Sequence, residues 1–366
     1  MIAAVNSEPL RKRELKLGIP MAKRIVVVGS INLDLVAATQ RIPVAGETVA
    51  GLSFQTFPGG KGANQAVAAA RLGGRVSMLG RLGTDVFGAQ LRESLEESEV
   101  DTDGIEAVPG SSGVALITTD AKGENAITVV AGANAHLSPA DLDSHIGFIR
   151  SAGILLTQLE IPLETVEYLA TIAIRERIPL VLDPAPARPL PASLLKCVDW
   201  LTPNETEACF LLGRAPEELS EDELEDAANA LLALGSRNVI LKLGKRGCYV
   251  ALLDGTRQLL PAYKVRAIDT TAAGDAFNGA FAVALMNGQD PLSSASWASA
   301  VAAISVTRPG AQPSMPTSFE VASFFGDGHN IKSNGNPDTI LVDFSRELAR
   351  VRLQNVDSVS NTPRQK

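Results

Sequence analysis

The sequence lacks several features that would assign it directly to a class of protein. It has only three cysteines, Cys197, Cys209 and Cys248, and none is in CxxC spacing, which argues against a disulfide framework or a zinc site. No apolar run reaches the roughly 18 residues that a membrane span needs, and the N-terminal segment lacks the apolar core of a secretory signal. We therefore expect a cytoplasmic protein with reduced thiols and no membrane contact.

Positive charge is also scarce. The chain has 33 Lys and Arg against 41 Asp and Glu, which gives a formal net charge of −8. A protein that binds nucleic acid through its phosphates needs clustered Lys and Arg, so this composition argues against a nucleic-acid partner. It does not exclude a small phosphorylated ligand such as ATP, because a few backbone amides can bind phosphate locally.

Two common nucleotide-binding motifs are absent as well. The segment Gly59-Gly60-Lys61-Gly62 invites comparison with a P-loop, but no Ser or Thr follows the lysine and the GxxxxGK spacing is missing. No GxGxxG follows the first apolar run. The glycines instead permit close backbone approach to a small ligand, whose hydroxyls Lys61 and Asn64 can bind. The alternative is a Gly-rich turn before a helix.

The sequence does contain a long alternation of strand-like and helix-like segments, from Lys23 to about Pro316. The Ile/Val run at 24–29 indicates a strand buried on both faces. This pattern predicts an α/β fold, a doubly wound and mostly parallel sheet flanked by helices. Two β-like segments, about 47–57 and 113–130, interrupt it and predict a small β-sheet lid. We expect one domain over 22–318, a flexible extension over 1–21 and a partly disordered tail over 319–366.

The segment 269–277 places small residues, two hydroxyls and two carboxylates between a predicted strand at 263–268 and a predicted helix at 276–286. A helix N-terminus offers free amides, and the small side chains let an anion approach them. A carboxylate at Asp275 suits removal of a proton from an attacking hydroxyl, which indicates phosphoryl transfer. The alternative is an ordinary turn capped by Thr270 or Thr271.

Other polar residues follow predicted strands. Asn32 and Asp34, spaced by two, point to one side of an extended segment and suit a pair of vicinal hydroxyls; an Asx turn is the alternative. Ligands of doubly wound sheets bind outside the carboxyl ends of the strands. One cleft is therefore expected to collect Asn32, Glu160, Asn204, Gly244 and Asp275.

With these motifs together, the chain resembles the ribokinase group of the PfkB-type carbohydrate kinase family over about 23–316. Gly-Gly-Lys-Gly-Ala-Asn at 59–64 and Asp-Thr-Thr-Ala-Ala-Gly-Asp at 269–275 match two separate family motifs. The segment 306–314 resembles ribokinases more than fructokinases or adenosine kinases. The resemblance implies phosphorylation of D-ribose at O5 by ATP, with Mg²⁺ as cofactor and K⁺ as activator. A kinase for another sugar or nucleoside (fructose, deoxyribose, adenosine, pseudouridine) and a non-catalytic sugar sensor remain alternatives.

The resemblance also implies roles for individual residues. The base would be Asp275, beside the amides of Ala272, Ala273 and Gly274. The sugar hydroxyls would be held by Asn32, Asp34, Gly60, Lys61, Asn64, Glu160 and Asp275 itself. The nucleotide and its Mg²⁺ would be held by Asn204, Glu207, Lys242, Gly244, Lys245, Arg246, Gly247, Gly274, Asp275 and Ser299, although Lys242 stands where ribokinases more often carry a hydroxyl residue. The monovalent cation would be held by Asp269, Thr271, Ser305, Arg308, Gly310 and Ser314.

The predicted lid would close over the sugar and exclude water. Four apolar side chains, Val114, Leu116, Ile127 and Val129, are expected on one exposed face of it. An exposed apolar face of this kind suits a second copy of the chain, so we expect a homodimer formed through the lid.

Overall fold

The structure is a computed structural model, and it describes residues 23–122 and 124–326. Strands β1–β13 are, in chain order, Arg24–Val28, Asn32–Thr39, Gly51–Gly59, Val76–Gly83, Asp101–Val108, Gly113–Thr119, Asn125–Val130, Ala152–Thr157, Leu180–Leu182, Trp200–Leu201, Asn238–Lys242, Cys248–Ala251 and Arg257–Leu260. Nine of them form one sheet in the order β13-β12-β11-β10-β9-β8-β1-β4-β5. The pairs from β5 to β11 are parallel and the last two are antiparallel. The predicted doubly wound, mostly parallel sheet is confirmed.

Helices cover both faces of this sheet, and they are numbered α1–α11 along the chain. One face carries α1 (Lys61–Arg71), α2 (Val86–Glu97), α9 (Ala273–Met286), α10 (Pro291–Ser305) and α11 (Ser318–Gly326). The other carries α3 (Pro139–Ser144), α4 (Ile146–Arg150), α5 (Leu163–Glu176), α6 (Ala192–Leu195), α7 (Glu205–Leu211) and α8 (Glu221–Ala233). Helices from the early and the late parts of the described chain therefore share one face of the sheet.

Strand β1 lies between these two layers, as its unbroken Ile/Val run predicts. Ile25 and Val27 belong to the core on the α1 side, whereas Val26 and Val28 belong to the core on the α5 side. Since successive side chains of a strand point to opposite faces, a strand covered on both faces is apolar at its successive central positions, here residues 25–28.

The four remaining strands form a separate small sheet in the order β3-β2-β6-β7. It contains the two predicted segments, although its outer strand begins at Gly51 and not at Glu47. The sequence did not predict its central strand β2, which pairs with β3 antiparallel and with β6 parallel. Residues that follow the first core strand thus belong to this sheet and not to a simple loop.

The expectation of one exposed apolar face on the small sheet is wrong. Ala115 pairs with Val129 and Ile117 with Ile127, so Ile127 and Val129 share a side with these two residues. Leu116 points to the opposite side, because side chains alternate along a strand. Leu116, Ile127 and Val129 are 48%, 54% and 51% exposed, so each side of the sheet carries exposed apolar residues.

The predicted strand at 263–268 is also absent, since β13 ends at Leu260 and the next regular element is α9. The amides of Ile268 and Asp269 both donate to the carbonyl oxygen of Val306, at 2.7 and 3.2 Å. The segment before α9 therefore pairs with the loop that follows α10 and not with the sheet.

The chain ends lie mostly outside the described residues, including the expected extension over 1–21 and the tail beyond Gly326. The first part of the expected tail is the helix α11, whose Val321 and Phe325 pack into the core. Among the helices of the described ranges, none is both long and apolar enough to cross a bilayer.

Gly279 lets α9 lie directly against α1. A Cβ added to this glycine would lie 2.7 Å from the carbonyl oxygen of Gln65 and 2.8 Å from the Cβ of Ala68. Because the first contact is with backbone, the two helices would have to move apart to admit a side chain.

We expect Gly279→Ala to lower the free energy of unfolding by about 1–3 kcal/mol, as overpacking commonly does. Equilibrium urea denaturation measures the change. Gly147→Ala in α4 is the matched control, because a Cβ there meets no atom within 4 Å and alanine favours the helix. An unchanged midpoint for Gly279→Ala would contradict the close packing.

Candidate active site

The N-terminus of α9 is formed by an unusual backbone. Ala272 has φ 59° and ψ 14°, a left-handed conformation that costs a residue with a Cβ about 1–3 kcal/mol. Its carbonyl accepts the first helical bond, from the amide of Ala276. The alternative reading of the turn, with Thr270 or Thr271 as the cap, is wrong, because Ala272 occupies that position without a side-chain bond. The amides of Gly274 and Asp275 have no acceptor in the turn and remain available to an anion, whereas the Ala273 amide donates to the carbonyl oxygen of Thr270 at 3.3 Å.

Asp275 lies in this first turn and is only 4% exposed. Its Oδ2 accepts from Nδ2 of Asn64 at 3.0 Å, and its Oδ1 accepts from Nε2 of Gln65 at 3.0 Å. Burial raises the pKa of Asp275 to about 6, although the ammonium of Lys61 opposes the shift. A carboxylate with a pKa in this range can both accept and release a proton near neutral pH.

The Gly-rich loop holds the residues that were expected to bind the sugar close to Asp275. We call these residues, together with Asp275, the sugar-side cluster. Gly60 has φ 87°, and a Cβ there would lie 2.6 Å from the amide nitrogen of Asn32. Glu160 Oε2 accepts from Ser30 Oγ at 2.5 Å and from the Lys61 amide at 3.1 Å. The loop, β2 and the segment after β8 therefore converge.

Lys61 carries the positive charge of this cluster. Burial alone would lower the pKa of its ammonium, but the surrounding carboxylates outweigh burial and hold the pKa above its ordinary value. The carboxylates that act on it are those of Asp275, Asp183, Glu160 and Glu207. Lys61 is therefore charged throughout the physiological range.

Asp34 is buried beside the same cluster. Burial, followed by the carboxylates of Glu160 and Asp275, raises its pKa to about 7, while Lys61 opposes the shift. Asn32, two residues earlier, is held by Asn134, whose Nδ2 donates to Asn32 Oδ1 at 2.7 Å. The structure thus brings together all seven residues that were expected to hold the sugar.

A cleft of about 640 Å³ adjoins this cluster. Its lining includes most of the predicted nucleotide-binding residues: Asn204, Glu207, Lys242, Gly244, Lys245, Gly247, Gly274, Asp275 and Ser299. Lys61 lines it as well. The cleft therefore extends from the sugar-side cluster along the first turn of α9 to the carboxyl end of β11.

Arg246 lies elsewhere. Its guanidinium bonds to the carboxylate of Glu205 and donates to the carbonyl oxygen of Leu219 at 2.6 Å. These contacts direct its side chain toward the loop before α8, and Arg246 is not among the residues that line the cleft.

Asn204 and Glu207 form a reciprocal cap at the start of α7. The Glu207 amide donates to Asn204 Oδ1 at 2.8 Å, and Glu207 Oε2 accepts from the Asn204 amide at 2.8 Å. Burial raises the pKa of Glu207, although Lys242 opposes the shift. The pair therefore stabilises a helix end while it presents a carboxylate to the cleft.

The residues predicted to bind a monovalent cation come from two segments that meet behind the turn. Asp269 links the segments, since its Oδ2 accepts from the Gly310 amide at 2.8 Å and its Oδ1 from the Thr271 amide at 2.9 Å. Arg308 is paired with Glu320 at 2.7 Å. The hydroxyls of Ser305 and Ser314 donate to carbonyls three residues earlier. Carboxylate, hydroxyl and carbonyl oxygens of this kind are suitable ligands for a hard cation.

Sequence reasoning missed several residues of the site. Gln65 and Gln158 have no motif of their own, and Ser30 and Asn134 are small polar residues without a distinctive pattern. Asp183 was detectable, because it directly follows β9 at the carboxyl edge of the sheet, where ligand-binding residues collect.

The doubly wound fold, the cluster around Asp275 and the cleft that adjoins it are together typical of a phosphotransferase. Residues 22–318 match the sequence model of the family described as "pfkB family carbohydrate kinase". Because this match covers most of the chain, the chain belongs to the pfkB family of carbohydrate kinases.

Individual relatives agree with this assignment. The ribokinase of Schizosaccharomyces pombe is 41% identical over 318 residues, which cover 85% of this chain and 99% of that protein. The deoxyribokinase of Salmonella typhi is 38% identical over 295 residues, 80% of this chain and 95% of that protein. The solved structure of Arabidopsis thaliana ribokinase, complexed with ribose and ATP, is similar with a TM-score of 0.77 and 35% identity, over 83% of this chain and 98% of that chain.

The raised pKa of Asp34 makes the site a source of instability at high pH. A carboxyl whose pKa is raised from 3.8 to about 7 by folding stabilises the folded state at low pH, and this contribution is lost as the pH rises through about 7. We expect Asp34→Asn to remove the loss, so that the variant is more stable than the wild type by about 1–4 kcal/mol at pH 8 but not at pH 4.

Urea denaturation of both proteins at the two pH values measures this difference. Asp103→Asn, which removes an exposed carboxylate on β5, is the control for the loss of one negative charge. Equal stability of Asp34→Asn and wild type at pH 8 would show that ionisation of the Asp34 carboxyl does not destabilise the folded protein.

Proposed function

We propose that this protein is an ATP-dependent kinase that phosphorylates D-ribose at O5, giving D-ribose 5-phosphate and ADP. One observation carries the proposal: Asp275 is held by Asn64 of the Gly-rich loop and at the same time lines the nucleotide-sized cleft. A base in this position can contact the attacking sugar hydroxyl, and it lies beside the phosphoryl group that is transferred to that hydroxyl.

In the proposed reaction, Asp275 accepts the proton of the O5 hydroxyl as O5 attacks the γ-phosphorus of ATP. A bond forms between O5 and phosphorus, the bond between phosphorus and the β–γ bridging oxygen breaks, and ADP leaves. The first-turn amides of α9 at Gly274 and Asp275 receive the charge on the phosphoryl oxygens. Alignment and charge stabilisation account for most of the catalysis in such transfers.

The nucleotide would occupy the cleft between the turn at Gly244–Gly247 and Ser299, with its γ-phosphate toward Gly274. Asn204 and Glu207 would hold Mg²⁺, in part through water, and their oxygens suit that cation. Bound Mg²⁺ supplies charge neutralisation to the phosphate oxygens. Lys245 adds positive charge along the cleft wall, whereas Arg246 supports the loop from outside.

Two segments, one with Asp269 and Thr271 and the other with Ser305, Arg308, Gly310 and Ser314, are called the cation segments. They would bind K⁺ mainly through backbone oxygens. This assignment is supported by the way Asp269 fastens the turn before α9 to the loop around Gly310. Bound K⁺ supplies a fixed charge behind the turn. The residues of both segments keep the carbonyls of the turn pointing backward, so that its amides point into the cleft.

Ribose is the preferred acceptor because of the polar groups of the sugar-side cluster and the relatives named above. Asn32, Asp34, Asn64 and Glu160 offer hydrogen-bond partners for several hydroxyls, and the Arabidopsis relative is described with ribose and ATP. A second candidate acceptor is 2-deoxyribose, which the deoxyribokinase relative favours. The two sugars differ by one hydroxyl, and a site built to bond that hydroxyl discriminates strongly.

We expect the wild type to release ADP with D-ribose faster than with 2-deoxyribose, fructose or adenosine. Asp275→Asn should lower kcat by about 10²-fold or more, because the amide cannot accept the proton. A coupled assay of ADP release measures both. Asp103→Asn is the control for loss of a carboxylate.

Two results would contradict the proposal. One is ADP release by Asp275→Asn at the wild-type rate; the other is no ADP release by the wild type with any sugar of the panel, which would favour a sugar sensor. Removal of K⁺ and NH₄⁺ from the buffer tests the cation segments separately, since we expect lower kcat without either ion.

We further propose that the protein works in the cytoplasm as a homodimer joined through the small sheet. Exposed apolar side chains support the dimer, since Phe54 is 65% and Leu116 48% exposed on one side of that sheet, and Ile127 and Val129 are more than half exposed on the other. Exposed apolar patches of this kind commonly mark interfaces. A dimer would also cover the sheet above the sugar.

We expect light scattering after size exclusion to give about twice the 38.4 kDa of one chain. Phe54→Glu and Val129→Glu place a charge on opposite sides of the sheet, and the variant whose side lies in the interface should be a monomer. A monomeric wild type, or two dimeric variants, would contradict an interface through this sheet.

A further inference from the structure

Lys242 occupies a central position in the cleft. It is the last residue of β11, and its ammonium donates to Oδ1 of Asp183 at 2.9 Å. A Cβ added to Gly274 would lie 3.2 Å from the same Nζ atom. The ammonium therefore lies against the first turn of α9, beside the amides that receive the phosphoryl group in the proposed reaction.

Asp183 joins this lysine to the base. Its side chain is only 2% exposed, and its Oδ2 accepts from Nε2 of Gln65 at 3.1 Å. The same Nε2 donates to Oδ1 of Asp275 at 3.0 Å. Gln158 donates to the carbonyl oxygen of the Gln65 side chain at 2.7 Å, which fixes the orientation of that amide. One amide and one carboxylate thus connect Lys242 to Asp275.

The negative charges around the cleft favour an ammonium at the position of Lys242. Four carboxylates act on Lys61, whereas the two lysines Lys61 and Lys242 supply the positive charge at the centre of the cleft. The γ-phosphate of ATP would add further negative charge beside Asp275. Like charges in a poorly solvated site repel strongly, and an ammonium beside both the carboxylates and the phosphate would offset that repulsion.

Neutralisation of Asp183 alone does not account for the geometry. An ammonium has three donors, and of the described residues only Asp183 accepts from Lys242. The lysine side chain is 13% exposed and lines the open cleft. Its other donors are available to a ligand that enters the cleft.

We infer that Lys242 binds the transferred phosphoryl group as a catalytic cation, with Asp183 and Gln65 as positioning residues that fix it relative to Asp275, an inference that rests on the proposed kinase function. Lys242 would also reach the β–γ bridging oxygen, and this contact would strengthen as negative charge moves from the γ-phosphate onto that leaving oxygen of ADP. It would contribute little to binding of the sugar.

A double-mutant cycle distinguishes this role from simple charge neutralisation. We expect Lys242→Met to lower kcat by about 10²-fold, with little change in the KM for ribose. Asp183→Asn should lower kcat less, because the lysine remains. The double variant should be no more active than Lys242→Met, and it keeps the buried pair neutral, so it should fold even if the single lysine variant does not.

The contrary results are equally definite. If Lys242 only neutralises Asp183, the double variant should recover most of the wild-type kcat, and this recovery would overturn the inference. Wild-type kcat in Lys242→Met would overturn it as well. Lys196→Met, which removes an exposed lysine next to α6, is the control for loss of positive charge.

Nucleotide binding without sugar separates this inference from the proposed function. Calorimetry of the wild type should show tighter binding of ATP than of ADP, and Lys242→Met should lose most of that difference. If the wild type phosphorylates none of the sugars but shows this difference, the proposed function fails and the phosphate contact stands. If the variant keeps the full difference, the phosphate contact fails.

Discussion

The structure depends on the contact between the carboxylate of Asp275 and the two amide side chains of Asn64 and Gln65. Each carboxylate oxygen receives one hydrogen bond at 3.0 Å. A buried carboxylate without such donors would be costly, and burial already raises its pKa to about 6. The two bonds keep a base in the interior and aim it at the point where the sugar-side cluster meets the cleft.

Close packing of glycines makes this contact possible. At Gly279, α9 touches the backbone of α1, and at Gly62, α1 touches the backbone that follows β1, where a Cβ would lie 2.7 Å from Ser30 N. These close contacts fix α1 against α9 and against the segment that follows β1. Asn64 and Gln65 of α1 and Asp275 of α9 are therefore positioned by rigid elements.

The sequence predicted the main sheet, the small sheet and the cluster around Asp275, because apolar runs and the two Gly-rich motifs have local physical causes. It did not predict β2, since Asn32 and Asp34 interrupt its apolar pattern with polar residues that belong to the site. It predicted a strand at 263–268 from alternation alone, whereas the bond from Ile268 to Val306 depends on a segment that lies far along the chain. The links through Gln65 and Asp183 are likewise tertiary and leave no local pattern.

The distance along the chain between the partners of the central contact has a consequence for synthesis. Asn64 and Asp275 are 211 positions apart, and α1 lies on the same face of the sheet as α9 and α10. Contacts of such long range form late, because loop closure opposes them. A ribosome-bound chain that has not yet released α9 leaves the apolar side of α1 uncovered, so this half-made protein is inactive and prone to associate with other chains until its last helices emerge.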